Sequence, residues 1–159
     1  MKKILTFLVT AFLAVSVLGS LEVCAAELKL SRMEDYADLL SSYEEENLRN
    51  MLDEVSEELQ FDIVIVTTNS TGGKSSQDYA DDFYDYNGYG MGDDFDGALL
   101  LINMEYREWH ISTTGYGMTA ITNSEVQDIG DEIVEYLSYG DYSEAFEEFI
   151  RLTQKEVKR

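Results

Sequence analysis

Apolar residues recur at helical spacing in four segments of the chain. In the first, over about 43–59, the apolar positions follow each other at intervals of three and four, and Ser42-Tyr43-Glu44-Glu45 has the spacing of a capping box. The other three predicted helices run from Ser75 to about Tyr86, from Thr122 or Asn123 to Gly140, and from Asp141 or Ser143 to about Thr153.

Three other segments have the pattern of β-strands. Residues 61–67 and 98–102 are almost entirely apolar, which is typical of strands covered on both faces. Residues 108–113 alternate, so we expect a hairpin with 98–102 that keeps Trp109, Ile111 and Thr113 on one face. The order of these elements predicts an α/β fold, a three-layer α/β/α sandwich with a small mixed β-sheet.

The first 25 residues resemble an export signal. Lys2 and Lys3 precede an apolar run over 4–18, and either Val23-Cys24-Ala25 or Cys24-Ala25-Ala26 supplies the small residues of a cleavage site. An uncleaved anchor is the alternative, although the run is shorter than the ~20 residues that span a bilayer. We therefore expect a signal peptide over 1–25, a single domain over 26–159, and an extracytoplasmic protein that is secreted or membrane-associated.

Composition limits the chemistry and the partners of that domain. Cys24 is the single cysteine and would leave with the signal, and one histidine cannot form a multi-histidine zinc site. Residues 26–159 hold 9 basic and 31 acidic side chains, a net charge of −22. Such a surface repels phosphate backbones and anionic lipid. We expect a monomer that binds cations and no nucleic acid.

Acidic residues are concentrated in a segment without Lys or Arg, between Lys74 and Arg107, and are densest in Gly92-Asp93-Asp94-Phe95-Asp96-Gly97. Carboxylates about 5 Å apart repel by roughly 3 kcal/mol per pair at an effective dielectric near 20. A folded loop that holds several of them therefore needs wide exposure to solvent or a counter-ion, and the spacing leaves both outcomes open. Oxygen-only ligands favour Ca²⁺, with Mg²⁺ or Mn²⁺ as the other candidates.

The residues predicted to hold the ion are Asp93, Asp94 and Asp96. Asp85 is a further candidate, because a carboxylate at the end of a helix opposes the helix dipole unless a cation lies close. The remaining aspartates of the second helix, Asp78, Asp81 and Asp82, are predicted to be solvent-exposed and without a role in the site.

Several short motifs, taken in order, resemble those of the TPM domain family, which includes the thylakoid-lumen acid phosphatase and many exported bacterial proteins. The likeness covers about Asp35 to Val157. The motifs are Asp35-Tyr36-Ala37-Asp38-Leu39-Leu40, the strand 61–67, the segment 77–90, Asp94-Phe95-Asp96-Gly97 before Leu99-Leu100-Leu101, Arg107, Gly115-Tyr116-Gly117 and Gly140-Asp141-Tyr142. The resemblance implies an α/β/α sandwich, an extracytoplasmic setting, a divalent ion in the acidic loop and, for some members, acid phosphatase activity.

Two positions depart from the family pattern. Asn123 stands where the family usually has aspartate, and Thr119 replaces a commoner larger or acidic residue. Asn123 can still offer a carbonyl oxygen to a metal, so we add it to the predicted ligands, but it is a poorer base. The departure weakens the phosphatase inference more than the metal inference.

Three hypotheses follow from these observations. The first is an exported domain that binds a divalent cation and acts in binding or envelope maintenance, with membrane or envelope proteins as partners. The second is a metal-dependent acid phosphatase that hydrolyses phosphomonoesters with metal-activated water. The third is a metal-independent interaction module. It would use a surface rich in tyrosine, at Tyr79, Tyr84, Tyr86, Tyr89 and Tyr116. No catalytic residue is predicted.

Overall fold

The computed structural model describes residues 30–159, so the predicted signal peptide, residues 1–25, lies outside the described part. The elements are β1 (Met33–Asp35), α1 (Ser42–Leu59), β2 (Asp62–Thr68), α2 (Ser76–Asn87), β3 (Gly97–Asn103), β4 (Glu108–Thr114), α3 (Gly117–Ala120), α4 (Asn123–Tyr139) and α5 (Tyr142–Val157). Every helix and strand predicted from the apolar pattern is present, with ends that differ by a few residues at most.

The four strands form one mixed sheet in the order β1-β2-β3-β4. Strands β1, β2 and β3 are parallel, and β4 runs antiparallel to β3. Asp62 pairs with Gly97, and Gly97 pairs with Thr114, so the starts of β2 and β3 and the end of β4 lie side by side. We call this border of the sheet the amino edge and the opposite border the carboxyl edge. The hairpin predicted between 98–102 and 108–113 is confirmed.

Alternate residues of the central strands face two separate cores. Ile63, Ile65 and Leu100 contribute to the larger core, together with apolar residues of α1, α4 and α5. Val64 and Leu99 contribute to the smaller core, under α2. The sheet is therefore covered by helices on both faces, which confirms the three-layer sandwich and explains why the middle residues of β2 and β3 are apolar.

The two crossover connections of this sheet have opposite hands. The connection through α1 leads from β1 to β2, and the one through α2 leads onward from β2 to β3 in the same direction across the sheet. Their helices nevertheless lie on opposite faces. Since direction and face together determine the hand, one of the two is left-handed, although about 98% of such crossovers are right-handed.

Three local features differ from the sequence-based expectation. The capping box of α1 is formed by Ser41 and Glu44, so the prediction of Ser42 and Glu45 was wrong by one residue. Strand β1 and helix α3 were not predicted, because three or four residues are too few to display a period. In the described part of the chain, no helix is long and apolar enough to cross a membrane.

Candidate cation site at the amino edge of the sheet

The acidic loop, residues 91–96, joins the end of α2 to β3 at the amino edge. It closes on itself, because the Asp96 N–H donates to the Met91 carbonyl (2.8 Å) and the Met91 N–H donates to the Asp96 carbonyl (3.1 Å). Asp93 and Asp94 lie in the part of the loop between these hydrogen bonds, where both are exposed. The chain therefore presents these two carboxylates to solvent on a narrow loop with a defined base.

Asp62 holds both ends of this loop. Its backbone N–H donates to the Asp96 carbonyl (3.0 Å), and its carboxylate Oδ2 accepts from the Gly90 N–H (2.7 Å). The other carboxylate oxygen accepts from Arg32 Nε (2.6 Å). Asp62 and Arg32 are only 6% and 7% exposed, so their charges compensate each other inside the protein.

Arg32 extends this buried cluster to α1. Its guanidinium also contacts Asp53 (2.7 Å) and Glu57 (3.4 Å). Burial lowers the pKa of Arg32, but the hydrogen bonds and charges of Asp62 and Asp53 outweigh burial and leave the pKa above its usual value. Sequence reasoning missed this cluster. The available signal was Asp62 itself, a charged residue inside an otherwise apolar strand.

The segment after β4 packs closely against the acidic loop. The Tyr116 N–H donates to Asp96 Oδ1 (2.5 Å). Gly115 adopts φ +54°, and a Cβ at this position would overlap Asp96 Oδ1 and lie 2.6 Å from the Asp94 carbonyl oxygen. Glycine is therefore required here, because only a residue without a side chain lets the segment after β4 approach the Asp96 carboxylate and the Asp94 carbonyl this closely.

Two side-chain hydroxyls, one of them buried, hold the same loop. Tyr84 Oη and Thr114 Oγ1 both donate to the Phe95 carbonyl, at 3.3 Å and 2.6 Å. Burial raises the pKa of Tyr84, so its hydroxyl stays protonated and can donate at any ordinary pH. Phe95 adopts φ +55°, a conformation that costs energy for a residue other than glycine. These contacts hold that conformation.

The structure distributes the five predicted ligands unevenly. Asp85, Asp93 and Asp94 are exposed, and their side chains make no hydrogen bond or ion pair with other residues of 30–159. Asp96 is half-buried, and Asn123 is exposed at the first residue of α4. Within residues 30–159, no three His, Cys, Asp or Glu side chains lie close enough together to hold a metal ion. The acidic loop is therefore not a preformed carboxylate cage.

The donors that do converge have the chemistry of a hard-cation site. The Asp94 carbonyl and the Asp96 carboxylate lie against one glycine, and the carboxylates of Asp93 and Asp94 on the same loop have no partner among residues 30–159. All of these atoms are oxygens, which suit Ca²⁺, Mg²⁺ or Mn²⁺ rather than a metal that prefers nitrogen or sulfur.

Comparison with known proteins identifies the family. Residues 33–156 match the family model described as the TPM domain. The chain belongs to the TPM domain family. A curated relative, the UPF0603 protein YdjH of Bacillus subtilis (strain 168), is 34% identical to this TPM domain protein over 155 residues. The match covers 98% of the chain but 59% of YdjH, so the chain spans about three-fifths of that relative's length.

Solved structures share the fold of this TPM domain. The N-terminal domain of a protein from P. gingivalis superposes with a TM-score of 0.68 at 24% identity, over 79% of this chain and 82% of that chain. The N-terminal domain of the cg2496 protein from Corynebacterium glutamicum superposes with a TM-score of 0.64 at 19% identity, over 81% of each chain. At these identities the likeness concerns the fold alone.

The tyrosines of the predicted interaction surface fall into two groups. Tyr84 and Tyr89 are buried beneath α2, whereas Tyr86 and Tyr116 are 82% and 47% exposed. Tyr79 is half-buried, and its ring stacks on Phe83 with centroids 6.2 Å apart. Three of these five tyrosines therefore pack in or against the smaller core, and only Tyr86 and Tyr116 of the predicted set are exposed at the surface.

The side chains of His110 and Ser112 lie on the α2 side of β4 and do not form a hydrolytic triad. Ser112 Oγ donates to Asp81, so the hydroxyl is bonded to the carboxylate rather than to the imidazole. Burial lowers the pKa of His110, while the charge of Asp81 opposes that shift. Asp81 thus has a structural partner, and Asp78 and Asp82 likewise contact Ser75 and Lys74, as surface residues of a helix commonly do.

Proposed function

We propose that this TPM domain binds a divalent cation, with Ca²⁺ as the first candidate, at the acidic loop. The observation that carries the proposal is that a carbonyl oxygen of Asp94 and a carboxylate oxygen of Asp96 lie together against Gly115. The carboxylates of Asp93 and Asp94 add charge from the same loop. Mg²⁺ and Mn²⁺ use the same kind of ligand and are the other candidates.

The exposed carboxylates of the acidic loop indicate how tightly the ion should bind. A site in which some ligands must move onto the ion binds more weakly than a preformed one, because the loop loses conformational entropy on binding. Calcium sites of extracellular modules have dissociation constants on the order of 10⁻⁴ to 10⁻³ M. We expect this range here, with Asp85 and Asn123 supplying the outer ligands.

A Ca²⁺ titration followed by NMR tests the proposal. The amide signals of residues 90–97 and 115–116 should shift saturably in the wild-type protein. Asp94→Asn and Asp96→Asn should each weaken binding at least about tenfold, since each removes a charged ligand. Asp128→Asn, which changes an exposed aspartate of α4 by the same charge, should bind like the wild type. Shifts that do not saturate, or equal weakening by all three variants, would contradict the proposal.

Phosphatase activity stays a prediction that the same variants can test. If the bound ion activates water, turnover of a phosphomonoester should require the divalent cation and be lost in both Asp94→Asn and Asp96→Asn while the fold is unchanged. Turnover that persists in both variants would belong to another site or to a contaminant.

We propose an extracytoplasmic setting for this binding, with membrane or envelope proteins as partners. Support comes from the export-like sequence of residues 1–25 and from the net charge of −22 without them, which favours soluble, cation-rich surroundings. Two tyrosines of the predicted interaction surface, Tyr86 and Tyr116, are exposed. The metal-independent alternative would use these two side chains. Binding of a partner in the presence of a chelator would favour that alternative.

A further inference from the structure

Arg107 is exceptional among the basic residues of the described part of the chain. Eight of the eleven Lys and Arg side chains lie in residues 30–159, together with thirty of the 32 Asp and Glu side chains. Seven of the eight form an ion pair with a carboxylate. The Arg107 guanidinium alone makes no ion pair or hydrogen bond within residues 30–159. With almost four carboxylates for each cation, an unpaired cation is the unexpected case.

The backbone at Arg107 is also unusual. Arg107 lies in the turn between β3 and β4 and adopts φ +54°, a left-handed conformation that favours glycine or asparagine. An arginine in this conformation costs roughly 1 kcal/mol relative to glycine. Glycine would therefore adopt this turn at lower energy than arginine. Arg107 has no ion pair within residues 30–159 that could offset the conformational cost.

A small cavity lies beside Arg107 at the carboxyl edge. Its volume is about 190 Å³, and its walls include Ile102, Met104, Trp109, Leu137 and Tyr142. Apolar and aromatic residues thus line the cavity, and Arg107, which is exposed to solvent, lies at its border. The acidic residue that also borders the cavity is Glu108, whose carboxylate accepts from Ser76 Oγ (2.8 Å) at the start of α2.

We propose that this cavity binds a small apolar carboxylate, with the hydrocarbon part against Trp109 and Leu137 and the carboxylate on the Arg107 guanidinium. Guanidinium groups bind carboxylates through paired, charge-assisted hydrogen bonds. The volume is below the 300–1,000 Å³ that is usual for sites of drug-sized ligands, so the ligand must be a small acid. This site is independent of the acidic loop, which lies at the opposite edge of the sheet.

The negative net charge of the protein makes a preference for an anionic ligand informative. The net charge of −21 disfavours anions at long range, so an anion can be preferred only through direct contact with Arg107. A neutral ligand with the same hydrocarbon part reports what the apolar walls contribute by themselves. The comparison of hexanoate with hexanol therefore isolates the role of the guanidinium.

Trp109 is the single tryptophan of the chain and lines the cavity, so its fluorescence reports on binding. We expect hexanoate to change the Trp109 emission saturably and to bind about tenfold more tightly than hexanol, as one charge-assisted hydrogen bond allows. Arg107→Gln should remove this preference. Arg151→Gln, which changes the net charge equally on the exposed side of α5, should retain it.

Two further measurements exclude unfolding of the variant and an insensitive fluorescence signal as explanations of a negative result. Arg107→Gly relieves the left-handed conformation and should leave thermal stability unchanged or higher, so its loss of the hexanoate preference cannot come from unfolding. NMR shifts of residues 104–109 and 134–142 detect binding even if the Trp109 emission is insensitive. Equal affinities for hexanoate and hexanol, preference retained in Arg107→Gly, or no saturable change by either method would overturn the proposal.

Discussion

The two edges of the sheet carry unpaired charges of opposite sign. The unpaired carboxylates and the unpaired guanidinium do not support a binding site equally. At the amino edge, Asp93 and Asp94 have no partner within the described part of the chain. At the carboxyl edge, Arg107 has none there either. Thirty carboxylates and eight cations lie in residues 30–159, so many carboxylates must be unpaired whatever the protein does. An unpaired aspartate is therefore weak support for a binding site, whereas an unpaired arginine is strong support.

The comparison shows what the cation proposal must depend on. Charge density drew attention to the acidic loop, but the geometry distinguishes it from the acidic surface of α2. The Asp94 carbonyl, the Asp96 carboxylate and Gly115 meet at one point, whereas the aspartates of α2 are separate and mostly bonded to serines or a lysine. The two edges also differ in how the structure holds them. The buried ion pair of Arg32 and Asp62 anchors the acidic loop, whereas Arg107 lies in a turn with a strained backbone.

Substitution of Asp62, which anchors the acidic loop at the amino edge, should have the largest effect on stability. Asp62→Ala should lower the free energy of unfolding by about 3 kcal/mol, because Arg32 loses its shortest charged contact and the Gly90 N–H loses its acceptor. Urea denaturation measures the loss. Asp82→Ala breaks the exposed pair with Lys74 and should cost less than about 0.5 kcal/mol. Similar losses in both variants would show that the buried cluster does not support the loop.

A pair of glycine variants sharpens the same comparison with a smaller effect. Gly115 and Gly140 both have positive φ, but a Cβ at Gly140 would meet no atom within 4 Å, whereas a Cβ at Gly115 would overlap Asp96. Gly140→Ala should therefore cost about 1 kcal/mol from backbone strain, and Gly115→Ala about 2 kcal/mol or more. Thermal and urea unfolding compare the two.

The glycine pair also separates stability from cation binding. Gly115→Ala should weaken Ca²⁺ binding, because the added methyl group would displace the Asp94 and Asp96 oxygens, while Gly140→Ala should leave binding unchanged. If both variants bind Ca²⁺ like the wild type, the ion is not held at Gly115, and the geometric basis of the proposal is lost.

The smallest expected effect concerns His110, in the middle of β4 between the two edges. Its pKa is lowered in the folded protein by burial, so the unfolded chain takes up a proton first as the pH falls below the ordinary value of about 6.5. Stability should be complete above that pH and decrease below it. His110→Gln should show a shallower decrease between pH 7.5 and pH 5.5, measured by urea denaturation.

A second pH window serves as the internal reference. Hydrogen bonds from Thr122 and Arg159 lower the pKa of Glu125, and a hydrogen bond from Arg151 lowers that of Glu148. Their contribution is present above the unfolded carboxyl value near 4.3 and is lost as the pH falls further. His110→Gln should leave this lower window unchanged. Equal slopes for wild type and variant between pH 7.5 and pH 5.5 would refute the role of His110.

Much of the fold was predictable because it depends on neighbours in the sequence. The stripe that predicted a helix over 43–59 and the apolar strand 61–67 each reflect a period that a few consecutive residues display. The capping box was misplaced by one residue because Ser41 and Ser42 both fit the motif with a glutamate three positions later. Strand β1 lacked a readable period and is recognisable only by its pairing with β2.

The candidate sites were less predictable. The acidic loop could be found from composition, but the place of Gly115 against Asp94 and Asp96 depends on a contact about twenty residues away in the sequence. Arg107 could be noted as a motif residue. Its lack of a partner became visible only when the partners of the other basic residues in the described part were known.

The sequence by itself determined the local periods, the excess of negative charge and the place of the acidic segment, because each follows from residues near one another in the chain. The tertiary structure alone decided the pairing of charges and the opposite hands of the two crossovers. Coulomb energies and hydrogen bonds depend on distances in space, and Arg32 reaches Asp62 across thirty residues only when β1 has paired with β2.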